Sequence, residues 1–174
     1  MERRNCQVAV KVVKFGGTSL CSAENFKKVK DIVQADKARK YVVPSAPGKR
    51  FPGDEKITDL LYLCYAQHAG GLSFDETFDQ IVERYVGIET ELGLKTGIAA
   101  ELSAIKKNII AGASEDYIAS RGEYLSGMLL ADYLGFGFLD AAELVSFHSD
   151  GTYDDETTQK WTQMLASTER VVVP

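Results

Sequence analysis

The segment Lys14-Phe15-Gly16-Gly17-Thr18-Ser19 follows a short apolar run, residues 8–13, that only Lys11 interrupts. An amphipathic helix comes next. The order strand, glycine turn, helix suits the handling of an anion. The two glycines permit positive φ and let a backbone or a phosphate come close. The helix start offers unpaired N–H groups and the positive end of its dipole. Lys14 places a fixed cation where the strand ends and can face a phosphoryl group. The spacing is not that of a Gly-x4-Gly-Lys-[Ser/Thr] loop, nor of a Gly-x-Gly-x-x-Gly fingerprint. An ordinary tight turn would use the same Gly-Gly-Thr-Ser.

Further along, Pro44-Ser45-Ala46-Pro47-Gly48-Lys49-Arg50 reads as a second loop. Ser45 can donate to a substrate oxygen or satisfy its own turn. Lys49 and Arg50 add local positive potential or simply face solvent. Thr58 lies near the start of a helix, where a hydroxyl beside free amides can bind a carboxylate or a local backbone group. Glu123 shares a helical stripe with Gly127, Leu130 and Leu134, and the opposite stripe holds Ile118, Leu125 and Leu129. A helix apolar on both sides is mostly buried. A glutamate there needs a partner. A substrate ammonium and Arg121 are the two candidates.

The elements that must position these residues alternate. Ser22 predicts an N-cap, with Glu24 in the first turn, and Phe26, Val29 and Val33 carry the helix to about Ala38. Residues 40–43 form a second strand, so the first two strands and their helix make a parallel βαβ unit. Asp54 can cap the next helix, whose apolar face is Ile57, Leu60, Leu61 and Cys64. Helices follow over residues 74–91 and 98–110, and Ser114, Glu115 and Asp116 open a long one that ends at Gly135. Strands are expected at 137–139, 144–147 and 170–173, and a helix at 155–165. This alternation predicts an α/β class with a mainly parallel, helix-covered sheet. In such sheets ligands bind beyond the carboxyl ends of the strands, where the two loops would share a crevice.

The chain has 174 residues, enough for one domain with a real core. A formal net charge of −5 argues against general nucleic-acid binding. No apolar run is long enough to span a bilayer, and the N-terminus lacks a signal-peptide core, so no membrane partner is expected. Cys6, Cys21 and Cys64 are odd in number and lack C-x-x-C spacing, and His68 and His148 show no ligand spacing with them. Free cytosolic thiols are expected, with no metal site, and the location is read as cytoplasmic.

The segment from Lys14 to Ser19 resembles the opening signature of aspartokinases, within the amino-acid kinase superfamily. Val42-Val43-Pro44-Ser45-Ala46-Pro47-Gly48-Lys49 is similar to their second loop, and Ile57-Thr58-Asp59-Leu60-Leu61 follows as it does there. Ser120-Arg121-Gly122-Glu123-Tyr124-Leu125-Ser126 is similar to the Gly-Glu segment of their long helix. Four matches in order are far more specific than any one.

The resemblance implies an amino-acid kinase, or carbamate kinase-like, fold. It implies transfer of phosphate from ATP, with Mg2+, to L-aspartate, giving ADP and 4-phospho-L-aspartate. That reaction opens the route to lysine, threonine and methionine. Lys14 would stabilise the transferred phosphoryl group, with Gly16 and Gly17 on the same phosphate side. Ser45, Thr58 and Glu123 would hold aspartate, Glu123 facing its amino group, and Thr18 and Ser19 would line the crevice. Family members are more than twice as long. Residues 1–174 would therefore be the front portion of a truncated kinase domain, without the ATP-binding half or the regulatory ACT domains. Such a fragment is expected to be inactive alone, and the full-length form to be a homo-oligomer. Kinases of glutamate or acetylglutamate, and a non-catalytic amino-acid-binding module, are the alternatives.

Overall fold

The computed structural model describes residues 10–165 and 169–174. Residues 8 and 9 of the first apolar run, and Cys6, lie outside them. Strand β1 (Lys11–Phe15) leads through a 3-10 turn (Gly17–Leu20) to helix α1 (Ala23–Gln34) and strand β2 (Arg39–Pro44). Four helices follow without a strand: α2 (Ile57–Ala69), α3 (Asp75–Leu92), α4 (Ile98–Ile110) and α5 (Glu115–Leu134). Then come β3 (Gly137–Phe138), α6 (Ala141–Leu144), α7 (Asp155–Leu165) and β4 (Val171–Val172). The sheet order is β1-β2-β4-β3 and every described pairing is parallel.

Local signals account for most boundaries. The Ser22 side chain accepts from the Asn25 amide and Ser114 from Tyr117, so both caps form as their residue types predict. Each such cap typically contributes about 1 kcal/mol. Gly135 closes α5 at φ 69°, a left-handed position that glycine takes without steric cost. Helix α1 stops at Gln34, before the expected Ala38. The Asp36 carboxylate takes the Ala38 amide at 2.9 Å and turns the chain into β2.

Two expectations fail. Residues 144–147 do not form a sheet strand. Asp140 instead caps the short α6 by accepting from the Ala142 amide, ahead of good helix formers, and Phe147 makes only an isolated antiparallel bridge with Tyr153. Asp54 does not cap α2 either. Lys56 holds the N-cap position without a side-chain bond, and Asp54 is taken by two arginines.

Helix α5 runs through the middle of the packing, against β2, β3, β4 and α2. Both of its stripes are buried: Ile118, Leu125 and Leu129 on one, Gly127, Leu130 and Leu134 on the other. Phe15, Val42 and Val172 bring the sheet into the same core. On the opposite face of β1, Val10 and Val12 are 51% and 65% exposed. Cys21 and Cys64 are buried and free, and burial pushes the Cys64 thiol up to about 12. Among the described residues, no helix is long and apolar enough to cross a membrane.

Candidate functional site

At the carboxyl end of β1 the chain enters its 3-10 turn, not α1 directly. The Ser19 amide closes that turn on the Gly16 carbonyl at 2.9 Å. Neither Gly16 nor Gly17 uses the positive φ that glycine permits. Gly17 is needed for the close approach of another backbone, as its residue type also allows. A Cβ there would sit 2.8 Å from the Ala46 carbonyl oxygen and 3.0 Å from the Gly48 nitrogen. Gly48 is the reciprocal case, with its virtual Cβ 2.8 Å from the Gly17 carbonyl carbon. The two glycines let the two loops touch, and the Gly48 amide donates to the Gly17 carbonyl at 2.8 Å. Gly16 has nothing within 4 Å of its Cβ position. Its Cβ side faces open space.

The second loop is pinned at each end. The Ser45 amide extends the ladder to the Phe15 carbonyl at 3.0 Å, and the Ile57 amide donates to the Pro47 carbonyl at 3.1 Å. Helix α2 starts there without a side-chain cap, leaving its first-turn amides beside the loop. Between the loops and α2 lies a cleft of about 450 Å³. Gly17 and Thr18 line it from the first loop, residues 45–49 from the second, and Lys56 and Thr58 from α2. Hydroxyls from three elements thus meet two lysines at the end of a parallel sheet. That set of groups can hold a small carboxylate.

Glu123 stands behind the second loop. Its Oε1 accepts from the Ala46 amide at 3.2 Å, and its side chain borders a neighbouring cleft of about 590 Å³. Arg121 is not its partner. The Arg121 guanidinium lies 4.7 Å and 4.6 Å from the ring centres of Tyr117 and Tyr124, bonds Ser120, and faces Asp140 at 3.7 Å. Gly122 lets α5 press on the loop, because a Cβ there would meet the Ala46 Cβ at 2.7 Å. The Tyr85 hydroxyl donates to the Gly122 carbonyl at 2.7 Å from full burial. Gly122→Ala is therefore expected to push the loop off α5 and to cost about 1–3 kcal/mol. Urea unfolding checks this, and an unchanged midpoint would contradict the packing described.

The structure brings Gly17, Thr18, Ser45 and Thr58 to one cleft. Four other expected site residues, Lys14, Gly16, Ser19 and Glu123, do not line it. Ser19 borders a separate, mostly apolar cleft beside α1. Lys14 is exposed on β1, and its side chain makes no ion pair or hydrogen bond among the described residues. Glu123 is joined to the loop through the Ala46 amide. Lys56 was not anticipated. Nor was Arg84, although its place between Ile81 and Ile88 on the buried stripe of α3 is legible as a charge in an apolar pattern.

Arg84 and Arg50 converge on Asp54 under the second loop. Asp54 accepts from the Arg50 amide at 2.8 Å, from Arg50 Nε and Nη2 at 2.9 Å each, and from Arg84 Nη2 at 2.8 Å. The Arg50 side-chain bonds, against the cost of burial, hold the Asp54 carboxyl well below the usual carboxylate range. A carboxylate depressed in this way stabilises the fold above its unfolded pKa, about 3.9, and loses that contribution as pH falls toward the folded value. Urea midpoints are thus expected to fall from pH 5 toward pH 2, with a shallower acid slope in Asp54→Asn. Equal slopes would contradict the assignment.

A family model described as the Amino acid kinase family matches residues 9–174. Aspartokinase 3 of Bacillus subtilis is 38% identical over 133 residues, which are 73% of this chain and 29% of that protein. The bifunctional aspartokinase/homoserine dehydrogenase of Daucus carota is 29% identical over 77% of this chain and 14% of its own length. The crystal structure of Clostridium acetobutylicum aspartate kinase superposes with a TM-score of 0.91 at 48% identity, covering 95% of this chain and 38% of that one. Escherichia coli aspartokinase III, solved in complex with aspartate and ADP, has the same fold, with a TM-score of 0.73 at 21% identity. It covers 94% of this chain and 40% of that one. The chain thus spans well under half the length of each of these relatives. The family match over nearly the whole sequence, joined to the parallel sheet and its paired loops, makes this chain a member of the amino acid kinase family.

Proposed function

We propose that residues 1–174 are the N-terminal portion of an aspartate kinase domain, and that the cleft between the two loops and α2 receives L-aspartate. The reaction is ATP plus L-aspartate to ADP plus 4-phospho-L-aspartate. The observation that carries the proposal is the meeting of Thr18, Ser45 and Thr58 in one cleft, in a chain 48% identical to an aspartate kinase over 95% of its length.

In this reading the Ser45 and Thr58 hydroxyls and the first turn of α2 hold the substrate carboxylates. Lys49 and Lys56 supply positive potential around them. Glu123, which borders the neighbouring cleft and fixes the loop through the Ala46 amide, faces the ammonium group from that side. A side-chain carboxylate oxygen of aspartate attacks the terminal phosphorus of ATP, and ADP leaves. Lys14 stabilises the charge that develops on the transferred group, and Gly16 leaves room for it. Transfer of this kind depends on positioning and charge neutralisation more than on covalent chemistry. Among the described residues no group of three or more His, Cys, Asp or Glu side chains is placed to hold a metal ion. Mg2+ accompanying the nucleotide would supply charge neutralisation to the transfer. The relatives are longer, and their remaining length supplies the nucleotide site in this reading.

A chimera tests it. This chain replaces the matched 38% of the C. acetobutylicum enzyme. ADP release is then followed with ATP, Mg2+ and either L-aspartate or L-glutamate. Release that needs aspartate, with none for glutamate, is expected. A folded chimera that turns over glutamate instead, or neither, would overturn the assignment.

A further inference from the structure

We propose that Arg84 is a positioning residue, whose buried guanidinium holds the second loop against the glycine turn and so sets the shape of the cleft. Its consequence for aspartate rests on the function proposed above. Arg84 lies on α3, away from the cleft lining, with its side chain only 4% exposed. Its Nη1 donates to the Gly48 carbonyl at 2.9 Å, and its Nη2 donates to Asp54 at 2.8 Å and to the Glu55 carbonyl at 3.4 Å. One planar group thus ties down the loop at Gly48 and the stretch just before α2. The Gly48 amide in turn donates to the Gly17 carbonyl. Arg84, Gly48 and Gly17 form a continuous chain of contacts from α3 to the first loop.

The network is a poor device for stability alone. Burying a guanidinium is costly, and well-packed apolar replacements of such groups are often neutral or better. The Arg84 Nε–H is itself buried without a partner among the described residues. What the guanidinium supplies is geometry. Its fork reaches a carbonyl and a carboxylate at once, which the single point charge of a lysine does not do. The Gly17–Gly48 approach leaves no slack either, since even a Cβ at either position would clash. A loop released at Gly48 would carry Ser45 and Lys49 out of register with Thr18 and Thr58.

The test uses the 174-residue chain. Amide exchange is read residue by residue by NMR, thermal unfolding is followed, and L-aspartate is titrated by calorimetry. Arg84→Lys keeps the charge and loses the fork. Arg84→Met removes the charge without leaving a cavity and serves if the lysine variant does not fold. Either variant is expected to exchange the Gly48 amide about tenfold faster and to bind aspartate about tenfold more weakly. Protection of Ile88 and Leu125 should stay as it was. Three results would overturn the proposal: Gly48 protected as in the parent, faster exchange spread equally over α3 and α5, or an unchanged aspartate affinity. A parent chain that binds no aspartate would fail the kinase reading instead, and Gly48 exchange alone would then decide the role of Arg84.

Discussion

In the chimeric kinase, Lys14→Ala is expected to lower kcat by about 10²–10³ while the aspartate KM stays nearly constant. Lys14 sits at the carboxyl end of β1, next to the glycine turn, with its side chain exposed and unpaired among the described residues. It does not line the cleft of Ser45 and Thr58. A cation held there contributes little to ground-state binding of the amino acid. Its contribution grows as charge builds on the group in transfer, and an interaction made only then is lost from kcat and kcat/KM alike. Steady-state kinetics separate the alternatives. A raised aspartate KM at unchanged kcat would place Lys14 on the amino-acid side.

The second large effect is expected at Glu123. Glu123→Gln should weaken aspartate by about ten- to a hundredfold and leave ATP affinity within about twofold, as a lost charge-assisted bond implies. Glutamine still presents an oxygen to the Ala46 amide, so the loop keeps its anchor on α5. What disappears is the negative charge offered to an ammonium group. Thr58→Ala should act in the same direction but less, because it removes a neutral hydroxyl from an uncapped helix start. Competition between aspartate and succinate, which lacks the amino group, isolates the effect. If Glu123→Gln weakened both ligands equally, its role would be to hold the loop and not to recognise the ammonium.

Short-range rules made much of this fold legible. Residues 98–110 coincide with α4, the serine caps form, and both stripes of α5 are buried as their spacing requires. Local pattern was insufficient where a distant partner decides. The glycine turn allowed either positive φ or a close backbone approach, and contact with Gly48, a relation that exists only once β1 and β2 pair, selects the second. Asp54 carries the residue type of a cap and stands just ahead of a helix. Two arginines outcompete that role, one of them from α3. Arg121 stood two residues from Glu123, yet residues two apart on a helix do not face each other, and its ring and carboxylate partners lie elsewhere. The candidate site shows the same division. Thr18, Ser45 and Thr58 were each readable from their loop or helix start, whereas Lys56 joins them only through the way α2 docks on the Pro47 carbonyl.

In the proposed function this chain carries an aspartate-binding half-site. The decisive experiment is isothermal titration of L-aspartate into the 174-residue chain, beside its Glu123→Gln variant. Saturable heat with L-aspartate, little with L-glutamate, and a marked loss in the variant are expected. Absence of heat with aspartate, or equal affinity in parent and variant, would contradict the half-site.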